Sequence, residues 1–304
     1  MFKILLRPAM IVIPFVLGLC FPQAKFLNDP PFHFMPLALM VMVFLSSLQI
    51  RWNELALRKE HWRLATANLL MGVLPALLCR ILFPDQPELY KTAFFTGIMP
   101  TATASAVIIS FLGGNVGFAL TGFALTTCSV SLALIVLLPL VNGCWSFAFL
   151  GNVLRTLTLL VTLPVSAAFL VKKFFPQAQK LPAKCKNFTF SLWSIMLFVI
   201  AAIARDYLKQ NPDIPTVQIL LPGVISLIIC IADFGVGYLI GGKEFRRETS
   251  QLLGQKNTNF GMYLALCYAT PLTAFGPIFY VLWHNMWNAI QLFLHDRRHG
   301  ANQG

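Results

Sequence analysis

The sequence predicts an all-α membrane protein with ten transmembrane helices, and three observations support this fold class. Hydrophobic residues make up 57% of the 304-residue chain and charged residues only 11%, with a mean hydropathy of +0.72. A soluble domain carries roughly 25% charged residues, so lipid must solvate most of this chain. Apolar windows of the ~20 residues that cross a bilayer recur ten times. Two of these windows are interrupted at matching positions by polar residues, glycine and proline.

The ten predicted spans follow these windows in order, and proline-containing loops such as 83–87 separate several of them. The second and seventh windows are short, so their bounds are the least well defined. Pro22 follows the first window without a small-residue cleavage site, so we expect a retained helix there rather than a signal peptide. The spans lie at roughly 4–22, 35–50, 64–83, 92–112, 116–141, 148–171, 188–204, 215–240, 249–270 and 272–294.

The basic residues predict the orientation. The net charge is +12, but the lysines and arginines lie in short loops between apolar spans, which argues against nucleic acid as a partner. With the N-terminus inside, the inner segments hold sixteen of the 23 basic residues and the outer loops five, while Arg155 and Lys256 fall within spans. We therefore expect both termini in the cytoplasm. The sixteen are Lys3, Arg7, Arg51, Arg58, Lys59, Arg63, Lys172, Lys173, Lys180, Lys184, Lys186, Lys243, Arg246, Arg247, Arg297 and Arg298, and the five are Lys25, Arg80, Lys91, Arg205 and Lys209.

The ten spans divide into two halves of five, residues 1–142 and 143–304. Because five is odd, the halves would have opposite orientations, which is the inverted repeat of many secondary transporters. The interrupted spans are then the fourth, at 97–105, and the ninth, at 254–261. A broken membrane helix must face protein or a water-filled cavity, and a matched pair of breaks points to a transporter's binding site. The alternative is coincidence, since glycine and proline are common in membrane helices.

Uncharged hydrogen-bonding side chains cluster near the middle of three spans. Such groups suit a ligand that carries a carboxylate, an amide or a hydroxyl group. The alternative is that they join neighbouring helices through interhelical hydrogen bonds. The candidate substrate-binding residues are Thr103 and Ser105 in the fourth span, Asn257, Thr258 and Asn259 in the ninth, and His284 and Asn285 in the tenth.

Two ionisable residues, Lys256 and Asp233, lie about 12 Å from the same predicted membrane surface, at ~1.5 Å per helical residue. A charge inside a bilayer costs at least ~2.5 kcal/mol, so we expect the two side chains to form an ion pair. Such a pair could exchange a proton during transport. It could equally be a permanent salt bridge, or Lys256 could extend its amine to the membrane surface.

Four short motifs together resemble the bile acid:sodium symporter family: PTATAS at 100–105, GGNV at 113–116, GQKN at 254–257 and WHN at 283–285. The resemblance implies a core domain of spans 3–5 and 8–10, with helices 4 and 9 crossing, and a panel domain of spans 1, 2, 6 and 7. It implies transport of organic acids, such as bile-acid or pantoate-like carboxylates, across the inner membrane of a bacterium. It also implies substrate contacts at Thr103, Asn257, His284 and Asn285.

The residues that hold sodium in that family are not matched here. The family has an asparagine after the serine of the fourth span, hydroxyls on the fifth, and an acidic residue and a glutamine in the ninth. The aligned residues here are Ala106, Ala119, Phe123, Leu252 and Lys256. Sodium requires oxygen ligands, as other hard cations do, and these side chains supply none. The ammonium of Lys256 would stand in for the charge of the ion.

Several functions remain in competition. The first is a secondary transporter of small organic anions that runs by proton coupling or as a uniporter. The second is a sodium symporter whose ion uses Asn68, Ser105, Gln255 and backbone carbonyls. The third is a channel or a non-transporting receptor. An enzyme is disfavoured because the chain has only 11 acidic residues and Asp233 alone lies clearly inside the core.

We expect no cofactor beyond a coupling Na⁺ or H⁺. The seven cysteines form no CxxC pair and lie mostly in apolar segments, so we expect packed thiols and no metal site. The expected partners are the organic-anion substrate and the lipid bilayer, with the chain a monomer or a weak oligomer.

Overall fold

The computed structural model describes residues 13–50 and 55–300, with the backbone alone at 296 and 298–300. Within this part the chain is helical and forms no β-sheet. The start of the first predicted span and the basic residues Lys3, Arg7 and Arg51 lie outside the described residues, as does the side chain of Arg298.

In the described residues, twelve helices follow the order of the predicted spans, with two half-helices at the predicted fourth span and two at the predicted ninth. The connections include short helical turns at Pro22–Asn28, Pro176–Lys180 and Leu181–Lys184. Helix α7 contains a π-helical segment, Thr158–Thr162. The helices are α1 (described from 13 to 20), α2 (Phe34–Ser47), α3 (Lys59–Leu82), α4 (Pro87–Gly97), α5 (Ala104–Phe111), α6 (Val116–Asn142), α7 (Phe147–Phe174), α8 (Lys186–Gln210), α9 (Thr216–Ile240), α10 (Arg246–Gly254), α11 (Thr258–Tyr268) and α12 (Phe275–Gly300).

Five helices in the described ranges are long and apolar enough to cross a membrane by length and composition: α3, α6, α7, α8 and α9. They have 24 to 28 residues, and their mean hydropathy is 1.7 to 2.4 in the most apolar window. Many large apolar side chains on these helices point outward, including Leu78, Leu132 and Ile228. The chain is therefore an all-α membrane protein.

Loops that the charge pattern assigns to the cytoplasmic side contact one another at one end of the molecule, which we call the basic end. Arg58, before α3, lies 3.4 Å from Glu244, before α10. Arg247 donates a hydrogen bond of 3.1 Å to the carbonyl of Leu112, which follows α5. These connections share one end of the helices, as the predicted alternation of spans requires.

Loops that the charge pattern assigns to the outer side meet at the opposite end. Lys25 forms an ion pair with Asp206 at 2.6 Å. Glu88, in the first turn of α4, accepts hydrogen bonds of 2.6 and 2.7 Å from Thr270 and Thr273, which precede α12. Which of the two ends faces the cytoplasm stays a prediction that rests on the loop charges.

The helices pack in two groups around the broken spans. Helix α2 packs against α7 and α8, whereas α3, α4, α9, α10 and α12 pack mainly against each other. The contact of α3 with α4 is close because Gly97 has no side chain: a methyl group there would lie 1.8 Å from the carbonyl oxygen of Met71. This close approach brings the end of α4 next to the middle of α3, where Asn68 lies.

Candidate functional site

The two interrupted spans are broken in the structure as well. Helix α4 ends at Gly97 and α5 begins at Ala104, while α10 ends at Gly254 and α11 begins at Thr258. The first break contains Pro100, which has no N–H to donate to a helix. The second break is shorter than the polar stretch predicted at 254–261. The side chain of Asn257 accepts a hydrogen bond from the Phe260 N–H and so starts α11 immediately.

The two breaks satisfy each other's backbone groups. The N–H of Ala102 donates to the carbonyl of Gln255 at 2.7 Å, and the N–H of Asn257 donates to the carbonyl of Pro100 at 2.8 Å. Thr101 and Lys256 therefore face each other in a short antiparallel bridge. Backbone groups without water must find partners inside the protein, and here the two unwound segments supply them to one another.

Lys256 points from this bridge into a set of oxygen atoms. Its Nζ donates hydrogen bonds to Asn68 Oδ1 at 2.7 Å and to the Gly97 carbonyl at 2.9 Å. Asp233 Oδ1, from α9, lies 3.4 Å away, and both charged side chains are fully buried. The expected ion pair is thus present. The ammonium is surrounded by an amide oxygen, a carbonyl oxygen and a carboxylate, which are the atom types that also bind a hard cation.

Tyr280 of α12 adds a further contact that the sequence analysis did not single out. Its hydroxyl lies 2.8 Å from Asp233 Oδ2 and 2.8 Å from the carbonyl of Gly254, the last residue of α10. The carboxylate thus bridges Lys256 and Tyr280. A tyrosine in an apolar helix looks like an ordinary core residue, so only its polar neighbours in space could have revealed this contact.

Two of the predicted substrate residues face helix α2. The hydroxyls of Thr103 and Ser46 are 3.1 Å apart, and the Asn259 amide donates a weak hydrogen bond to Met42 Sδ at 3.6 Å. Met42 and Ser46 are one helical turn apart, so one face of α2 covers the starts of both α5 and α11. These two α2 residues were not predicted. Their sequence pattern is that of any membrane helix.

The other predicted substrate residues have varied surroundings. The Asn257 side chain caps α11, and Asn285 donates to the Val281 carbonyl of its own helix at 2.7 Å. Thr258 is buried in the first turn of α11, and the His284 ring packs edge-on against Tyr280, with 5.4 Å between ring centroids. In the described part of the chain, no hydrogen bond joins His284 or Asn285 to Thr103 or Asn257. A single cavity lined by these four residues stays a prediction.

Several buried polar atoms near the breaks have no hydrogen-bond partner among the described residues. They include Ser105 Oγ, Asn259 Oδ1 and His284 Nδ1. Leaving such a group unsatisfied costs about 1–3 kcal/mol. These atoms are therefore available to a ligand or to water. Gln255, the other predicted coupling residue, accepts a hydrogen bond from Asn288 of α12.

The positions aligned with sodium ligands offer no side-chain oxygen in the structure. Ala106, Ala119, Phe123 and Leu252 are all buried apolar residues. No group of three or more His, Cys, Asp or Glu side chains that could hold a metal occurs within residues 13–50 and 55–300. Lys256 instead places a cationic nitrogen beside the carbonyl of Gly97, at the start of the first break.

A cleft of about 350 Å³ lies at the opposite end of the molecule. Lys25, Asp206 and Tyr207 line one side, and Leu266 and Pro271 of the ninth span and the following loop line the other. None of the predicted substrate residues lines it. The cleft lies between the last turns of α8 and the end of α11.

Comparison with known proteins gives one distant similarity. No protein-family model matches the sequence. The chain is 26% identical over 211 residues to a protein of Bacillus subtilis (strain 168) named "Uncharacterized sodium-dependent transporter YocS". The aligned part covers 66% of this chain and 62% of that protein, so the chain spans less than two thirds of its relative's length.

Proposed function

We propose that the chain is a secondary transporter that moves small organic anions by alternating access and that it is not driven by sodium. In this proposal Lys256 occupies the place of a sodium ligand, and the transported substrate is a carboxylate of the bile-acid or pantoate type. The observation that carries the proposal is the pair of broken spans, hydrogen-bonded to one another around a buried ammonium. The distant relative that is named as a transporter supports the same class of function.

A broken helix at membrane depth must be buried in protein or line a water-filled cavity, because lipid cannot satisfy its backbone groups. Here α5 and α11 both begin at the break, so their N-terminal N–H groups and positive dipole ends lie near each other. Helix N-termini bind carboxylates and phosphates in many proteins. Thr103 and Asn257, next to these N-termini, would hold the carboxylate. Ser105, Thr258, Asn259, His284 and Asn285 would contribute further hydrogen bonds.

The surroundings of Lys256 argue against a sodium ion at the same place. A second cation 4 Å from the ammonium would be repelled by ~4 kcal/mol at an effective dielectric of 20. The oxygens of Asn68, Gly97 and Asp233 already bind the ammonium. Energy coupling would therefore use a proton exchanged at Lys256 and Asp233, or the protein would be a uniporter. No enzyme activity is part of this proposal.

The proposed topology has ten spans with both termini in the cytoplasm, arranged as two inverted repeats of 1–142 and 143–304. The grouping of α2 with α7 and α8 supports a panel separate from the core of spans 3–5 and 8–10. Alternating access would then change the position of the core relative to the panel, and the contact of α2 with Thr103 and Asn259 would lie at the moving boundary. We place the chain in the bacterial inner membrane as a monomer or a weak oligomer.

A sodium-dependent symporter of the same fold is the second candidate, because the relative is named as sodium-dependent. Its ion would use Asn68, Ser105, Gln255 and backbone carbonyls. The unpartnered hydroxyl of Ser105 is the one side-chain oxygen of this set that is still free to bind an ion. A channel or a receptor on the same scaffold would differ from both transporters. A channel or a receptor could not accumulate a solute against its gradient.

A thermal-shift screen of the purified protein tests the proposal. A ligand that binds the folded state raises its apparent melting temperature by mass action. We expect some monocarboxylates to raise the melting temperature equally in NaCl and in choline chloride, and no effect from the matched primary alcohols. A shift that requires Na⁺ would favour the second candidate. If no carboxylate produces a shift, or reconstituted vesicles show no saturable uptake, organic-anion transport is refuted.

A further inference from the structure

A stripe of polar side chains runs along one face of α12 from the ion pair towards the basic end. Tyr280, His284, Asn288 and Gln291 are spaced by four, four and three residues, which places them on the same face of the helix. Tyr280 is fully buried, His284 is 4% exposed, Asn288 is 3% exposed and Gln291 is half-buried. At ~1.5 Å per residue the stripe extends about 16 Å.

The facing wall carries two glutamines, Gln251 in helix α10 and Gln255 directly after its last residue. The Gln251 amide donates to Gln291 Oε1, and the Asn288 amide donates to Gln255 Oε1. These two side-chain hydrogen bonds join α12 to the end of the ninth span formed by α10. At the inner end Tyr280 contacts Asp233, and Asp233 contacts the Lys256 ammonium. Polar groups therefore follow one another from the ion pair to the half-buried Gln291.

Between the ion pair and the basic end, three atoms along this passage have no hydrogen-bond partner in the described part of the chain: His284 Nδ1, Asn288 Oδ1 and Gln251 Oε1. Gln251 is only 1% exposed. Two of these atoms are carbonyl oxygens, which accept hydrogen bonds. The third is an imidazole nitrogen, which accepts a hydrogen bond when the ring proton is on Nε2 and donates one when it carries the proton itself. The species that satisfies all three atoms must be small and must be able to donate to the two carbonyl oxygens. Water meets both conditions, because a buried water typically makes about three hydrogen bonds to polar groups.

We propose that a file of water molecules lies between α10 and α12 and connects the Lys256–Asp233 pair with the basic end. Each of the three unpartnered atoms forms a hydrogen bond with one of these waters, and the two amide–amide hydrogen bonds hold the walls of the file in place. The file would give protons a route between the basic end and the ion pair. That use rests on the proton coupling proposed above, whereas the existence of the file does not.

Hydroxyl-radical footprinting tests the file directly. X-ray radiolysis of water generates radicals in place, so a buried side chain is oxidised only where water touches it. We expect Tyr280 and His284 in the purified full-length protein to oxidise several-fold faster than Phe94 and Phe95, after correction for intrinsic reactivity. The two phenylalanines are equally buried in the apolar core. Equal oxidation rates would overturn the proposal.

Substitution of Asn288 adds a second measurement. Asn288→Leu fills the passage with an apolar group and should reduce the oxidation of His284 and Tyr280 to the rate of the phenylalanines. Asn288→Ser keeps a polar group and should retain the oxidation, which also shows that the site tolerates substitution. Thr92→Val serves as the control, because Thr92 Oγ1 is also a buried polar atom without a partner but lies on α4, outside the passage. Oxidation that persists in Asn288→Leu would refute the file.

Two further readouts separate the file from its alternatives. If the acceptors bound an alkali cation in place of water, NaCl would protect His284 from oxidation relative to choline chloride, and this result would overturn the proposal. Uptake measured at several pH values in the same variants tests the proposed function separately. Oxidation that follows the expected pattern, together with pH-independent uptake, supports the file and refutes proton coupling.

Discussion

Removing the carboxylate of Asp233 tests how far the buried ammonium of Lys256 depends on its charged partner. Asp233→Asn keeps the shape of the side chain, but Lys256 Nζ then has no carboxylate within 4 Å among the described residues. At 3.4 Å and an effective dielectric of 20, the attraction between two unit charges is about 5 kcal/mol. Breaking a buried ion pair by removing one partner costs about 3–5 kcal/mol. Because Asn68 and Gly97 still bind the ammonium, we expect a loss near 3 kcal/mol.

The free energy of unfolding, measured by SDS titration in mixed micelles, gives the magnitude. Lys256→Met should be destabilised similarly, and the double variant should be more stable than either single variant because no uncompensated charge remains. Asp206→Asn is the matched control. It breaks the partly exposed pair with Lys25, which should contribute at most about 1 kcal/mol. If Asp233→Asn costs no more than Asp206→Asn, the stability of the folded protein does not depend on a carboxylate partner for the buried ammonium.

The remaining predictions concern coupling, substrate binding and packing. Replacing Na⁺ by choline should leave substrate uptake unchanged, and strong stimulation by Na⁺ would contradict the role of Lys256. In Lys256→Gln uptake should lose any dependence on pH if the amine releases a proton, or gain sensitivity to Na⁺ if it stays charged. Asn257→Ala and His284→Ala should weaken substrate binding by about 1–3 kcal/mol, measured by calorimetry. Asn257→Asp is the control: it keeps an oxygen that can cap α11, so it separates the loss of the cap from the loss of the amide. Unchanged affinity in both alanine variants would show that the site lies elsewhere. Gly97→Ala should lower the melting temperature, because the new methyl group would lie 1.8 Å from the Met71 carbonyl oxygen and push α3 and α4 apart. An unchanged melting temperature would show that the contact can relax.

The helices could be predicted from hydropathy where their ends coincide with the end of the apolar run. Helix α6 spans Val116–Asn142, against a prediction of 116–141. Helix α8 spans Lys186–Gln210, against 188–204, because its last turns carry Arg205, Asp206 and Lys209. A hydropathy window ends at the first charges, whereas the helix continues into the aqueous layer, where its backbone hydrogen bonds are still formed. The same reason extends α12 beyond its predicted end.

The candidate site could be predicted only where a side chain reveals its role. Lys256 and Asp233 were paired from their depth, because a charge inside a membrane requires a partner. Asn68 is predicted as a possible sodium ligand, and in the structure its Oδ1 accepts a hydrogen bond from Lys256. The carbonyls of Gly97 and Gly254 belong to the backbone, which every residue type supplies, so no sequence pattern marks them.

The energetics of transport change when the positive charge at the site is a lysine side chain of the protein and not a transported sodium ion. In sodium symport the ion crosses the membrane with the substrate, and its gradient supplies the free energy for accumulation. Lys256 cannot leave the protein, so a permanently charged Lys256 would let the substrate equilibrate only with its own gradient and the membrane potential. A potential that is negative inside opposes entry of an anion by about 2.3 kcal/mol per 100 mV. Accumulation of an organic anion inside would therefore require a second charge to cross, and a proton exchanged at the buried Lys256–Asp233 pair would supply it. Uphill uptake in sodium-free vesicles, abolished when the proton gradient is collapsed, would follow from proton coupling, whereas a uniporter would only equilibrate.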